Sequence, residues 1–397
     1  MAETVARADR IGAWSNVGEV LAVRLDAMGD VLMTTPALRA IRATVPDARL
    51  TLLTSPGAAE VAACIPELDA VIAHDVPWMK ATAARTDPAP DLELIDRLRA
   101  GRFDAAVIFT VHTQDPLPAA LTCWLAGIPL RLAHSRDNPY QLLTDWVRDP
   151  EPLEPIRHEV QRQLDLVAAV GYRTEDTHLS FRVPPDASRR VRGMLAGLGL
   201  HAAAPWAVLH PGATAPSRRY PPERFAAAAR ALATEDGWRF VVTGSPGEAE
   251  LAASVARAIG PAAVPLAGQL SLGELSALIA VAPVVITNNT GPAHLAAAVG
   301  TPVVDVYALT NVQHTPWRVR HRLVINDVPC RGCRKSVCPL GHNACLTGIP
   351  AESVAAAARE LVPAPRVAVP ARRAAASGAL AAGASRAEET PAAAVAE

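Results

Sequence analysis

The chain has little net charge, few aromatic residues, few cysteines and no long apolar run. Its 397 residues carry a formal charge of −1 at pH 7, so its composition holds no broad basic surface for nucleic acid. No stretch approaches the ~20 apolar residues of a membrane-spanning helix. The first residues, Met1 to Asn16, include Glu3 and Asp9 and lack an apolar core, so they do not read as a secretory signal. The expected setting is cytoplasmic, with peripheral contact at a membrane left open. Lysine is scarce and arginine is the usual cation, against a background rich in alanine and proline. Cys64 and Cys123 lie in apolar segments and read as buried thiols. The other four cysteines cluster late in the chain.

What is present is an alternation of strands and helices over a length that allows two domains. Residues 1–18 read as a flexible leader. Strands are expected at Val20–Leu25, Leu50–Thr54, Val71–Ala73 and Ala105–Phe109. The first helix should run from about Thr35 to Thr44, with Thr35 as N-cap and Pro36 as its first residue. His158–Val170 reads as an amphipathic helix, and Ser180–Ala187, with its paired prolines, as a linker. A second α/β pattern follows, with strands at Ala207–His210, Phe240–Thr243, Val264–Leu266, Val284–Ile286 and within Thr301–Tyr307. The expected organisation is a first α/β half over 19–180, a second over 181–362, and a disordered Ala/Pro-rich tail over 363–397.

The most informative stretch is Val284–Pro302. A β-branched run leads into Thr287-Asn288-Asn289-Thr290, then Gly291-Pro292 opens a helix that Gly300 ends. In an open parallel sheet such a turn lies at the carboxyl edge, where ligands bind. The free N–H groups of the helix favour an anion there, typically a phosphate, and His294 sits in the first turn. Strand–Gly–helix turns are nevertheless common to α/β proteins, and a lone histidine can be purely structural.

Four further segments are candidates for chemistry or binding. Asp30, after the first strand, stands where a general base could reach a substrate hydroxyl, or else it caps a helix. Asp26 reads as structural. In His210-Pro-Gly-Ala-Thr214-Ala-Pro-Ser217-Arg218-Arg219, Thr214 and Arg218 suit a diphosphate, because guanidinium matches phosphate oxygens bidentately. Thr243-Gly-Ser-Pro-Gly-Glu248 is a shorter turn that can simply reverse the chain. Cys330, Cys333, Cys338 and Cys345, with His342 among them, allow a structural zinc site, reduced thiols or a redox-formed bond. They suggest no catalytic role.

The segments Asp26–Leu38, His210–Phe225 and Asn289–Ala298 resemble, in order, the motifs of the ADP-heptose:lipopolysaccharide heptosyltransferases, glycosyltransferase family nine. The resemblance covers about residues 19–362, and the late cysteines with Cys338-Pro-Leu-Gly-His342 resemble the heptosyltransferase II branch. It implies a GT-B fold: two Rossmann-like domains across a cleft, the first binding acceptor and the second nucleotide-sugar, with no catalytic metal and no cofactor beyond the co-substrate. It places the catalytic base on Asp30 and the donor site on Thr214, Arg218, Asn289, Thr290, Gly291 and His294. Asn289 stands where characterised members have an acid that contacts the donor sugar. An amide there keeps hydrogen bonding and loses charge. Arg218 replaces a lysine found in some members. The expected reaction is inverting transfer of a sugar, most simply heptose, from an ADP-linked donor to a lipid- or polysaccharide-linked glycan. Arg131, His134, Arg136 and Asn138 could touch an anionic acceptor or simply be solvated.

Other readings remain. Another nucleotide-sugar could be the donor, or the chain could bind such a sugar without catalysis. A dinucleotide oxidoreductase would need Gly-x-Gly-x-x-Gly after the first strand, and Asp26–Asp30 does not supply it.

Overall fold

The computed structural model describes residues 11–80, 82–149, 151, 156–200 and 205–362. The expected disordered tail at 363–397 and residues 1–10 of the expected leader lie outside the described residues.

Among the described residues, twelve strands form two six-stranded sheets. The first holds β1 (Glu19–Arg24), β2 (Arg49–Thr54), β3 (Ala70–Ala73), β4 (Ala105–Ile108), β5 (Leu130–Ser135) and β6 (Asp145–Arg148). The second holds β7 (Trp206–His210), β8 (Arg239–Val242), β9 (Ala263–Pro265), β10 (Val285–Asn288), β11 (Val303–Val306) and β12 (His321–Val324). All pairings are parallel, in the orders β3-β2-β1-β4-β5-β6 and β12-β11-β10-β7-β8-β9. Helices cover both faces, so the central strands are buried along nearly their whole length. The strand order reverses between β1 and β4 and again between β7 and β10. At such a switch point the connections leave toward opposite faces and open a crevice at the carboxyl ends of the strands.

Three helices position the site: α1 (Met28–Thr44), α2 (Glu159–Ala168) and α3 (Gly291–Val299). The expected start of α1 at Thr35-Pro36 is corrected, because the helix begins at Met28 and carries Pro36 inside. Proline removes the N–H that would reach the Leu32 carbonyl. The Thr35 hydroxyl donates to that carbonyl at 2.7 Å, so it is not left bare. Asp30 therefore lies in the first helical turn. The expected linker is shorter than its prolines suggested, because a helix begins at Pro185 and runs to Gly197. The sequence pattern assigned no strand to Trp124–Asp149, where the structure places β5 and β6.

The leader is corrected too. Residues 11–15 are helical and Trp14 is only 1% exposed. Its indole N–H donates to Asp145 at 2.9 Å, and its carbonyl accepts from the Tyr172 hydroxyl at 2.8 Å. Trp14 joins a hydrophobic core that runs from the first sheet through α1 and α3 to β7 and β8. Replacing a buried tryptophan by alanine typically removes about 3–5 kcal/mol. We expect Trp14→Ala to lower the urea midpoint accordingly, and a loss under about 0.5 kcal/mol, as for a surface residue, would show that this segment is not part of the core.

Candidate active site

The site begins with a charge in an apolar strand. Arg24 is the last residue of β1, is fully buried, and meets three carboxylates. Its Nε lies 3.0 Å from Asp26, one Nη 3.3 Å from Asp30 and the other 3.0 Å from Glu159 at the start of α2. Burial alone would raise the Glu159 carboxyl. The Arg24 guanidinium and His314 overcome that and hold it well below the usual carboxylate range. Burial pushes Asp26 up to about 6 despite Arg24, with the neighbouring Asp30 adding to the rise. Arg24 thus fixes Asp30 Oδ1, and among the described residues the other Asp30 oxygen has no hydrogen-bond donor.

The N-termini of α1 and α3 face each other at close range. A Cβ on Gly29 would stand 2.7 Å from the His294 ring, and one on Gly291 would stand 2.5 Å from the Met28 sulfur. Only glycine permits this approach. It brings Asp30 and the Thr290–His294 turn into one cleft of about 1180 Å³. Thr214, Arg218, Thr290, Gly291 and His294 all line it, as do Gly244, Ser245 and Glu248 of the third turn. The Thr290 hydroxyl is buried at the start of α3 with no partner, so it is open to a ligand.

His294 is 4% exposed, and its Nδ1 has no partner. Burial, then His314, His158 and Arg218, bring its pKa down to about 3. It therefore offers a neutral imidazole, and the positive charge in the cleft comes from Arg218. Asn289 does not line the cleft. It is 3% exposed, its Oδ1 has no partner, and it lies beside Tyr307. Its neighbour Asn288 does the positioning. The Asn288 amide donates to Pro211 at 2.7 Å and to Gly212 at 3.2 Å, and its oxygen accepts from Tyr220 N–H at 3.0 Å. One side chain thereby ties the His210–Arg219 turn to the end of β10.

A second cavity, of about 860 Å³, adjoins the first. Asp30, Arg218 and His314 line both. Asp26, His112, Gln114, Arg334 and Lys335 line only the second. Arg131, His134 and Arg136, which the sequence offered either as acceptor contacts or as solvated residues, line neither cavity. Arg131 spends its guanidinium on the carbonyls of Leu142 at 2.8 Å and Gln141 at 2.9 Å, and on that of Ile128. His134 is buried against the Arg162 carbonyl at 3.1 Å, and Arg136 is exposed. The residues missed were Arg24, Glu159, His314, Arg334 and Lys335. Only Arg24 left a trace, as a charge inside a strand pattern; the others need tertiary neighbours to be recognised.

The four late cysteines are free and line one small pocket, with His342 beside them. Among the described residues, no three His, Cys, Asp or Glu side chains are grouped so as to hold a metal. Among the described residues no helix is long and apolar enough to cross a membrane.

Two doubly wound parallel sheets, with their switch-point crevices meeting across a shared cleft, are the architecture of a GT-B glycosyltransferase. The description Glycosyltransferase family 9 (heptosyltransferase) matches residues 92–344, and the chain belongs to that family. A curated relative, lipopolysaccharide heptosyltransferase 3 of Escherichia coli, is 27% identical over 353 residues, covering 84% of this chain and 96% of the relative. The structure of E. coli ADP-heptose lps heptosyltransferase II superposes with a TM-score of 0.67 at 22% identity, over 86% of this chain and 98% of that one. E. coli heptosyltransferase WaaC with ADP-2-deoxy-2-fluoro heptose superposes with a TM-score of 0.61 at 22% identity, over 85% and 97%. The likeness does not single out the type II branch that the cysteines suggested.

The buried groups set a pH dependence. Burial brings His134 and His158 to about 4, and His294 to about 3. Unfolded histidine titrates near ~6.5, so each contribution is complete above that pH and is lost as pH falls toward the folded value. Asp26, raised to about 6, acts oppositely, because the folded form holds its proton longer. Near pH 5 the balance is about two protons, or about 3 kcal/mol per pH unit. Urea unfolding at pH 7 and pH 5 should show a marked drop at the lower pH, and equal midpoints would mean these imidazoles are not buried neutral.

Proposed function

We propose that the enzyme transfers a heptose, with inversion, from an ADP-linked donor to a lipid- or polysaccharide-linked glycan, and that Asp30 is the base. The observation that carries this reading is the meeting of two cavities at Asp30, Arg218 and His314. A donor in the larger cleft and an acceptor in the smaller one would confront each other at that junction. The family and the ADP-heptose named with related structures support the choice of donor. The reaction would take place in the cytoplasm, at the membrane periphery where a lipid-linked acceptor is within reach.

Asp30 takes the proton of the acceptor hydroxyl. The acceptor oxygen bonds to the anomeric carbon as the bond from that carbon to the diphosphate oxygen breaks. The electron pair leaves with ADP. Arg218, the Thr214 and Thr290 hydroxyls and the N–H groups opening α3 face the developing diphosphate charge. Neutral His294 can donate or accept one hydrogen bond there. Arg24 orients Asp30 from behind, and Gly29 keeps α1 close enough to α3 for the base to reach the donor. In this reading the first half holds the acceptor and the second holds the donor.

Asp30→Asn preserves shape and removes the base. Turnover of ADP-heptose should fall by about 10²–10⁴-fold, the usual contribution of a general base, while calorimetric ADP affinity stays within about twofold. Unchanged turnover would remove Asp30 from the mechanism. A parent protein that binds UDP or GDP in preference to ADP would replace the donor assignment.

A further inference from the structure

The chain has only two lysines, and Lys335 lies in one loop that Lys80 reaches from the first half. That loop is the cysteine-rich segment of the second half. Its Arg334 and Lys335 line the smaller cavity, together with Arg218. Among the described residues none of these three cations is in a salt bridge. The carboxylates in the same cavity, Asp26 and Asp30, are already held by Arg24 at 3.0 and 3.3 Å.

The backbone is arranged to keep these charges in place. Arg334 has φ +56°, a left-handed conformation that a residue with a Cβ rarely adopts. Its N–H donates to the Thr310 carbonyl at 2.8 Å, and the Gly332 N–H to Leu309 at 2.7 Å. Ser217 grips the next residues, donating its N–H to Ser336 at 3.0 Å and its hydroxyl to the Lys335 carbonyl at 2.6 Å. Lys80 reaches across from the first half to the Ser336 hydroxyl at 2.9 Å. Together these bonds fix the loop against Thr310, Ser217 and Lys80.

A further group in the cavity makes no hydrogen bond, although Glu151 Oε2 lies 3.8 Å from its Nδ1. His112 is 3% exposed, and neither of its ring nitrogens has a hydrogen-bond partner among the described residues. It lines the same cavity and feels the Arg334 charge. Burial keeps it neutral, so it offers one donor and one acceptor.

We propose that Arg334 and Lys335 are specificity-determining residues, which bind an anionic group, a carboxylate or a phosphate, on the sugar acceptor, with His112 beside it. The inference rests on the acceptor reading of this cavity. It assigns part of acceptor recognition to a loop of the donor half, so the two halves would read the acceptor jointly.

The test is calorimetry on the full chain saturated with ADP. The probes are a deacylated, heptose-deficient lipopolysaccharide core oligosaccharide and the same oligosaccharide after carboxyl reduction and dephosphorylation. The parent should bind the charged probe at least about tenfold more tightly than the neutralised one, with a preference that fades as salt is raised. The double variant R334Q/K335Q should bind ADP as the parent does and lose the preference. Arg334→Gly, which suits the left-handed backbone, should keep or raise the heat-unfolding midpoint while weakening the charged probe. Equal binding of both probes by a parent that binds ADP overturns the inference and leaves the transferase reading standing. A preference retained by R334Q/K335Q also overturns it. A parent that does not bind ADP removes the donor reading and this inference with it.

Discussion

The close approach of two helix N-termini is the constraint on which the rest of this molecule depends. Gly29 and Gly291 let α1 and α3 pack with the His294 ring and the Met28 side chain where Cβ atoms would otherwise stand. The packing lies within a hydrophobic cluster that spans the two halves. It also brings the carboxyl edge of the first sheet to that of the second. The two helix starts thereby become opposite walls of one cleft, and Asp30 and the Thr290–His294 turn face each other across it.

Arg24 is the second element of that arrangement. A guanidinium buried at the end of a central strand must be compensated, and three carboxylates do so. Glu159 comes from α2, well over a hundred residues away in sequence, and His314 approaches Glu159 at 3.8 Å from the second half. The orientation of Asp30 is therefore shared among three remote segments. Removing Arg24 would leave the buried Glu159 carboxylate without its nearest cation, a loss of about 3–5 kcal/mol in comparable sites. Asp30 is thereby held in one orientation at the junction of the two cavities.

Much of the frame was legible from the chain alone. The β-branched runs, the glycines and prolines at turns and the helical spacing located nine strands within a residue or two, because those patterns reflect local sterics and one-sided burial. The failures also have local causes. Pro36 was read as a helix start because its missing N–H usually marks one, whereas the Thr35 hydroxyl fills the gap and lets the helix continue. Leu130–Ser135 carries Arg131 and His134, so its polarity concealed a strand; the side chains are buried on backbone carbonyls instead of facing an acceptor. Trp14 looked like part of a loose leader because its partners, Asp145 and Tyr172, are far along the chain.

The sequence by itself determined the alternating α/β frame, the three turns at strand ends and the family motifs that mark Asp30, Thr214, Arg218 and His294. These depend on neighbours a few residues apart, so local spacing records them. Tertiary structure alone decided that Asn288 and not Asn289 ties the turns together, and that Arg131 is structural. It also decided that Arg24, Glu159 and His314 form a chain of contacts behind Asp30, and that a cysteine-rich loop delivers Arg334 and Lys335 to the smaller cavity. Each of those outcomes depends on charges and hydrogen bonds between segments brought together only by folding, and linear spacing carries no record of them.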